Sequence, residues 1–409
     1  MGQRGVRVDM EMLEKLKEEI GTKVATLQAQ FDSFAPGVNP RSPKQMIKLL
    51  YEDLKLPAKI NRMTKKVTTN EDAIKSLGKK YGKKFPVLQT LLDLREVAKM
   101  QGTYAEVALG KDGRLRTMYL ITGTGTGRFS SKMAEDDEGE KEGLNMQNLP
   151  PWFREVIIPD EGKVFLEGDL SGAEARIVAF LSGEEEMIRV FEEGRNIHKL
   201  NASKLFGIPE EQVAKDSSSD QPYGKAKRIT HGFDYKLGAE HAAEIAGSSL
   251  AEMERLRAAY FRAFPNLFLW HKAIEQVSLT NRTLLTPYGR RRIFLGRPPK
   301  RKGKDGKIIP NEDLLRKMIA FVPQSTCTEY LKRGMLAAEP ELPEGAEFLM
   351  DNHDGFLLQC FQKDLEAIEK LMRHKTCIPL LIRDILGKER MLTIPMETKS
   401  GYRWGEDMK

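Results

Sequence analysis

The sequence is short of the features that mark special protein classes. It has three cysteines in 409 residues, Cys327, Cys360 and Cys377. They show neither zinc-site spacing nor a disulfide framework. A reducing intracellular compartment, the cytoplasm, is the expectation. No apolar run nears the roughly 20 residues that cross a bilayer. No secretory or transit-type segment opens the chain, so no membrane partner is expected. Charged residues make up 31% and hydrophobic residues 40%. That balance suits a folded protein, and the length implies two or three subdomains.

The charge that is present is uneven. Of the net +7, all lies in residues 1–110, which hold 20 basic and 13 acidic side chains. The remainder is balanced at 46 of each. Between Lys59 and Lys84, nine basic residues face only Glu71 and Asp72. A cluster of this kind is either a solvated face or an arm that neutralises phosphates, and nucleic acid is the favoured partner. Lys65 and Lys66, at its centre, are the expected nucleic-acid contacts.

Periodicity orders the rest. Asp9–Gln30 reads as an amphipathic helix through Leu13, Leu16, Ile20, Val24 and Leu27. Its Asp9-Met-Glu11 has the Asp-x-Glu spacing of exonuclease metal sites, but acidic residues in a first helical turn are expected for dipole reasons. Ser42-Pro43 starts a second helix. The stretch 59–84 reads as loop with short helices, and 85–109 as helix, so residues 1–110 form a helical, basic subdomain. Leu115–Ile121 alternates like a strand. The Gly-rich run 123–131 lacks the Gly-Lys-Ser/Thr of a phosphate loop and reads as a turn that aims Arg128. An acidic surface loop, 135–142, and an amide cluster at Asn145 and Gln147 follow. Residues 184–280 read as helical. Thr283–Phe294 reads as a strand pair, the basic stretch 296–307 as a flexible loop, and Asn311–Leu336 as a helix with a kink or break at Pro323.

Three stretches carry chemistry. Val164–Leu166 is a short buried strand leading into Asp169, with Gly168 and Gly172 beside it, and a helix begins at Ala173 with Ile177, Phe180 and Leu181 on one stripe. Asp169 either caps that turn or holds a metal ion on rigid elements. On the helix starting near Tyr223, Lys227, His231 and Tyr235 share one face, presenting a cation, an imidazole and a phenol. Such a face is either a snorkelling lysine beside core aromatics or a grip for a triphosphate and a stacked base. Finally, two apolar strands meet at His353-Asp354-Gly355, either a plain Asp/Gly turn or a second carboxylate shown at a hairpin tip.

Together these segments, in order and spacing over nearly the whole chain, resemble family A DNA polymerases of the bacterial DNA polymerase I type. The resemblance implies an α+β right-hand fold with an antiparallel-sheet palm, helical fingers and a helical thumb. Its parts would be a thumb at 1–110, palm at 111–182, fingers at 183–280 and palm again at 281–409. It implies template-directed DNA synthesis from a primer 3′-hydroxyl by two-metal-ion nucleotidyl transfer. Asp169 and Asp354 would hold two Mg2+ ions, with Mn2+ as a substitute, and Lys227 would complete the catalytic set. Glu174 would exclude a ribose 2′-hydroxyl. His198, Arg228, His231 and Tyr235 would join Lys227 and Glu174 around the dNTP. Arg128, Asn145, Gln147, Arg316, Gln324 and His353 would hold primer and template. Primer–template DNA and dNTPs are the implied partners of a monomer, with a separate exonuclease or replication proteins beside it, since no proofreading domain is expected in this chain.

The departures from the family are specific. Tyr223 stands where an arginine is usual, leaving a triphosphate contact missing or supplied by Lys225, Arg228 or His198. His231 replaces an aromatic on the sugar, which bears on dideoxynucleotide discrimination. Lys236 replaces a glycine, Gly355 a glutamate and Ala320 an asparagine. A divergent member, viral in one reading, is implied. The rivals are a single-subunit RNA polymerase and a non-catalytic primer–template binder.

Overall fold

The computed structural model describes residues 1–61, 64–135, 138–218, 221–295, 301–302, 308–405 and 408. The chain forms two compact units. The first comprises residues 1–118, 131–160 and 402–408, and the second residues 119–130 and 161–401.

In the first unit, strand β1 (Val6–Val8) lies between β2 (Arg114–Leu115) and β3 (Ile157–Ile158), antiparallel to both. Helix α1 (Met10–Phe34) follows at once. Asp9 caps it by accepting from the Met12 amide at 3.0 Å and binds Arg403 at 2.7 Å. The Asp-x-Glu motif is thus a helix start, as its place before an apolar stripe suggested. Ser42 caps α2 (Pro43–Ile47), accepting from the Gln45 amide. Helices α3 (Glu71–Tyr81) and α4 (Val87–Met100) complete a core of Phe31, Leu50, Ile74, Leu77, Leu88 and Leu91. The basic stretch therefore carries one sizeable helix, whose buried side is Ala73, Ile74 and Leu77. Lys65 and Lys66 lie in the loop before it and are exposed. The short helix α5 (Pro151–Arg154) closes this part of the chain. The acidic stretch expected as a loop pairs Ala134–Glu135 with Lys141–Glu142 as a small hairpin, residues 136 and 137 lying outside the described residues.

The second unit is built on a four-stranded antiparallel sheet. Taking the strands in chain order, β4 is Lys163–Leu170, β5 Thr283–Leu285, β6 Arg291–Ile293, β7 Glu347–Asn352, β8 Gly355–Phe361 and β9 Met396–Gly401. The sheet order is β7-β8-β4-β9. Because β4 is central, pairing with β8 and β9 carries it through Asp169 to Leu170. The sequence suggested a strand ending at Leu166, since the polar residues after it show no apolar run. Two partners supply hydrogen bonds that composition alone does not advertise.

The helices of this unit are, in chain order, α6 (Ala173–Ser182), α7 (Glu185–Glu192), α8 (Ile197–Phe206), α9 (Pro222–Asp234), α10 (Ala239–Ala246), α11 (Leu250–Ala263), α12 (Pro265–Leu279), α13 (Glu312–Ala338) and α14 (Leu365–Thr376). One face of the sheet, through Val164, Leu166, Leu170, Phe356, Leu358 and Met396, joins Ile177, Phe180, Phe233, Tyr260 and Phe321 in a single core. The helix α13 runs unbroken past Pro323, which is buried inside it, so of the expected kink or break the break does not occur. Strands β5 and β6 pair antiparallel. The loop 296–307, expected to be flexible, lies outside the described residues apart from 301 and 302. All three cysteines are free thiols. No helix among the described residues is long and apolar enough to cross a membrane.

Candidate active site

Antiparallel register brings the two candidate carboxylates together. Gly355 pairs with Asp169 across β8 and β4, so Asp354 in the preceding turn stands beside Asp169. The Leu170 amide donates to the Asp354 carbonyl at 2.9 Å, tying the turn to the strand end. On the other side Glu397 of β9 pairs with Asp169. Two glycines permit this approach. A Cβ at Gly168 would lie 2.5 Å from the Phe356 ring, and one at Gly355 would lie 2.5 Å from the Gly168 carbonyl oxygen and 3.0 Å from Asp169 Oδ1. The glutamate that the family usually carries at Gly355 has no room on this backbone.

His353, at the first position of the two-residue turn, has a φ of +67°. That conformation is unusual for a residue with a Cβ and is imposed by the tight connection between β7 and β8.

Crowding sets the electrostatics. Asp169 opens to solvent on one side, yet the sheet crowds it on the other. Burial and then the charge of Asp354 push its carboxyl up to about 7, with Glu167 and Glu397 adding to the rise. Burial also raises Asp354, while Arg128 and His353 pull it down. This is a site short of positive charge. Among the described residues no group of three or more His, Cys, Asp or Glu side chains is arranged to hold a metal ion.

Glu174, in the first turn of α6, is the hub of the neighbouring contacts. Its two oxygens accept from Arg128 Nη2 and from the Tyr235 hydroxyl. His231 Nε2 lies 3.9 Å from the same carboxylate, and its ring stacks edge-on against Tyr235 at 4.9 Å. Burial, and then Glu174's charge, holds the Tyr235 phenol well above its ordinary range. It therefore stays a donor to Glu174 at any ordinary pH.

Along α9 the Lys227–His231–Tyr235 face forms as the spacing implied, with Tyr235 as the residue that caps the helix. Lys227 and His231 are exposed. His198, from α8, joins them: burial and the charges of Lys227 and His231 lower its pKa. Among the described residues its Nδ1 has no hydrogen-bond partner. The other substitutes proposed for the missing arginine are engaged elsewhere. Lys225 binds Glu252 at 3.0 Å, and Arg228 donates to the Ser217 carbonyl at 3.3 Å. Tyr223 is buried, its hydroxyl accepting from Asn196 Nδ2 at 3.2 Å. Lys236 takes the positive φ of +61° that explains why glycine is usual there.

Arg316, Ala320 and Gln324 follow one another at four-residue spacing on α13, on one face. Arg316 is exposed and binds Asp313. Asn145 and Gln147 belong to the first unit, where Asn145 Oδ1 accepts from Ser131 Oγ and from the Gln147 amide at 3.1 Å. Sequence reasoning missed Lys332. It continues the Arg316–Gln324 stripe by two more turns, and that spacing was the available signal. Its ammonium donates to the Gly127 carbonyl at 3.0 Å and lies 3.1 Å from the Phe129 ring centre. Burial lowers its pKa to about 8.

With this geometry established, the comparisons with known proteins are direct. Residues 10–406 match the sequence model of DNA polymerase family A. The chain is 28% identical to the thermostable DNA polymerase I of Thermus aquaticus over 98% of its own length and 46% of that protein. It is 27% identical to DNA polymerase I of Mycobacterium tuberculosis H37Rv over 98% of itself and 42% of that protein. It therefore spans slightly less than half the length of these bacterial relatives, which lend no support to a viral source. Its fold is that of the POL domain of Pol1 from M. smegmatis, solved in complex with DNA primer-template and dNTP. The TM-score is 0.80 at 24% identity, over 98% of this chain and 67% of that one. A sheet register that sets Asp169 beside Asp354, on a chain matched almost from end to end, leaves one assignment: the chain belongs to DNA polymerase family A.

Proposed function

We propose that this chain extends a primer 3′-hydroxyl with dNTPs on a DNA template and releases pyrophosphate, with thumb, palm and fingers divided at residues 110, 182 and 280. The observation that carries the reading is the register that sets Asp354, in the turn between β7 and β8, beside Asp169 at the end of β4, with the Glu174–Tyr235–Arg128 set next to them. Asp169 and Asp354 fit magnesium, which takes hard oxygen donors and leaves its remaining positions to water and substrate phosphates. When bound, the ions would activate the 3′-hydroxyl and stabilise the leaving pyrophosphate.

The chain's own side chains supply the rest. Lys227 and the face it shares with His198 and His231 neutralise triphosphate charge, with no help from the arginine that Tyr223 replaces. Arg228 and Lys225 are secondary, since both are tied to protein partners. Glu174, held from two sides, blocks a ribose 2′-hydroxyl, which argues against the RNA polymerase reading. Tyr235 and His231 pack on the sugar and base. Arg128, Asn145, Gln147, Arg316, Gln324 and His353 hold the primer–template, and Lys65 and Lys66 its backbone.

Extension of a primed template with dNTPs and rNTPs, with and without magnesium, tests the reading. Asp354→Ala should abolish extension while DNA affinity stays near that of the parent. Extension by Asp354→Ala at parental rate would sink the site assignment, and equal use of rNTPs would favour the RNA polymerase.

A further inference from the structure

Tyr235 reaches Glu174 from the point where α9 ends, and the residue before it, Asp234, is the last of that helix. Asp234 is 3% exposed. Its carboxylate accepts from the Tyr260 hydroxyl at 2.6 Å, and its main-chain carbonyl stands 2.7 Å from His271 Nε2. Tyr260 is on α11 and His271 on α12, and both are buried. Burial lowers His271 to about 4, so the ring is neutral, with Nε2–H donating to the carbonyl. The last carbonyls of a helix lack intrahelical partners, and here a side chain from a neighbouring helix supplies one. Two hydrogen bonds from two different helices thus pin the C-terminal end of α9.

The surroundings give no packing reason for a carboxyl. The rings of Phe233 and Phe264 lie 5.6 and 5.0 Å from Tyr260 in an apolar core. Burial, against the pull of the Tyr260 bond and with the charge of Glu174, raises the Asp234 carboxyl to about 7. A leucine would fill this space without desolvating an acid.

We propose that Asp234 is a positioning residue for sugar selection: its side chain pins the end of α9 to Tyr260 of α11, beside the main-chain bond to His271 of α12, and so keeps the Tyr235 hydroxyl on Glu174. The inference rests on the reading of Glu174 as the group that excludes the 2′-hydroxyl. Tyr235 and Arg128 hold the Glu174 carboxylate from two sides. Loss of the Asp234 pin lets the helix end shift, and a drift of about 1 Å takes Tyr235 out of hydrogen-bond reach. Glu174 then keeps only Arg128 and swings toward it, opening space for a ribose.

The test is single-nucleotide insertion by the full chain on primed DNA, comparing kcat/KM for a dNTP with that for the matching rNTP. The variants are Asp234→Leu, Asp234→Asn and Tyr260→Phe, with Glu174→Ala as the gate control. Asp234→Leu and Tyr260→Phe should each lower the dNTP-over-rNTP ratio by about tenfold or more, chiefly by raising rNTP insertion. Asp234→Asn keeps an oxygen for Tyr260 and should hold the ratio near that of the parent. If Asp234→Leu fails to fold, Tyr260→Phe, which removes one oxygen atom, carries the measurement. A lowered Tm with an unchanged ratio in both variants, while Glu174→Ala relaxes it, would overturn this inference alone. An unchanged ratio in Glu174→Ala would overturn the gate reading and this inference with it.

Discussion

Gly355→Ala tests how tightly β8 and β4 are packed beside the two carboxylates. The added Cβ would stand 2.5 Å from the Gly168 carbonyl oxygen, a backbone atom that cannot rotate away. Close carbon–oxygen contacts settle near 3.3 Å, so β8 and β4 must part locally by about 0.8 Å. Overpacking of this kind costs about 1–3 kcal/mol. For a unit of this size that lowers Tm by roughly 2–4 °C per kcal/mol. The functional cost is larger, because the displaced atoms include the chain next to Asp169 and Asp354. A misplacement near 1 Å at a reacting centre costs on the order of 10²-fold. The assay pairs thermal unfolding with single-nucleotide extension at saturating dNTP. A variant that unfolds with the parent and extends within about twofold of its rate would refute the argument from steric contact. Gly355→Glu, which installs the residue usual in the family, should be worse than alanine and gain no activity, since its Cβ meets the same oxygen.

Other outcomes follow from the same contacts. Lys332→Met removes the donor to Gly127 and the cation against Phe129, so the loop bearing Arg128 should loosen. Extension should fall by roughly tenfold with the stability of the fold little changed, measured by kcat against KM for primed DNA. Lys65→Ala and Lys66→Ala should weaken DNA binding without regard to sequence, each reducing the slope of log affinity against log salt by about 1. An unchanged slope would remove these lysines from the DNA contacts. For Asp234 the folded carboxyl is raised to about 7 from an ordinary 3.8. Stability from its protonation is fully present below the unfolded value and is lost as pH rises through about 7. Asp234→Asn should therefore gain Tm relative to the parent as the pH goes from 5 to 8.5, as read by unfolding at each pH.

Much of the site was legible because its elements announce themselves locally. Lys227, His231 and Tyr235 fall on one helical face by spacing alone, and two apolar strands around His353-Asp354 read as a hairpin without reference to the rest of the chain. The cap at Asp9 was legible for the same reason, since a first-turn acid before an apolar stripe is a short-range signal. What stayed hidden was long-range. Lys332 lies on a readable stripe, but only folding brings Gly127 and Phe129, some 200 residues earlier, under its ammonium. Asp234 carries no signal in the sequence, because nothing nearby shows that Tyr260 and His271 will close over it.

The sequence by itself determined the family, the helical basic segment at the start and the residue types at the chemical positions, since periodicity, charge and motif order are properties of the chain. Tertiary structure alone decided the strand register, and a register shift of one residue would turn Asp169 to the opposite face of the sheet. It also decided that Gly355 is enforced by a carbonyl on the next strand, and that Glu174 is gripped by Arg128 and Tyr235. Lys225 and Arg228, equally available on paper, were spent on Glu252 and Ser217. Those outcomes depend on which groups meet across the sheet and between helices, and no local pattern encodes such meetings.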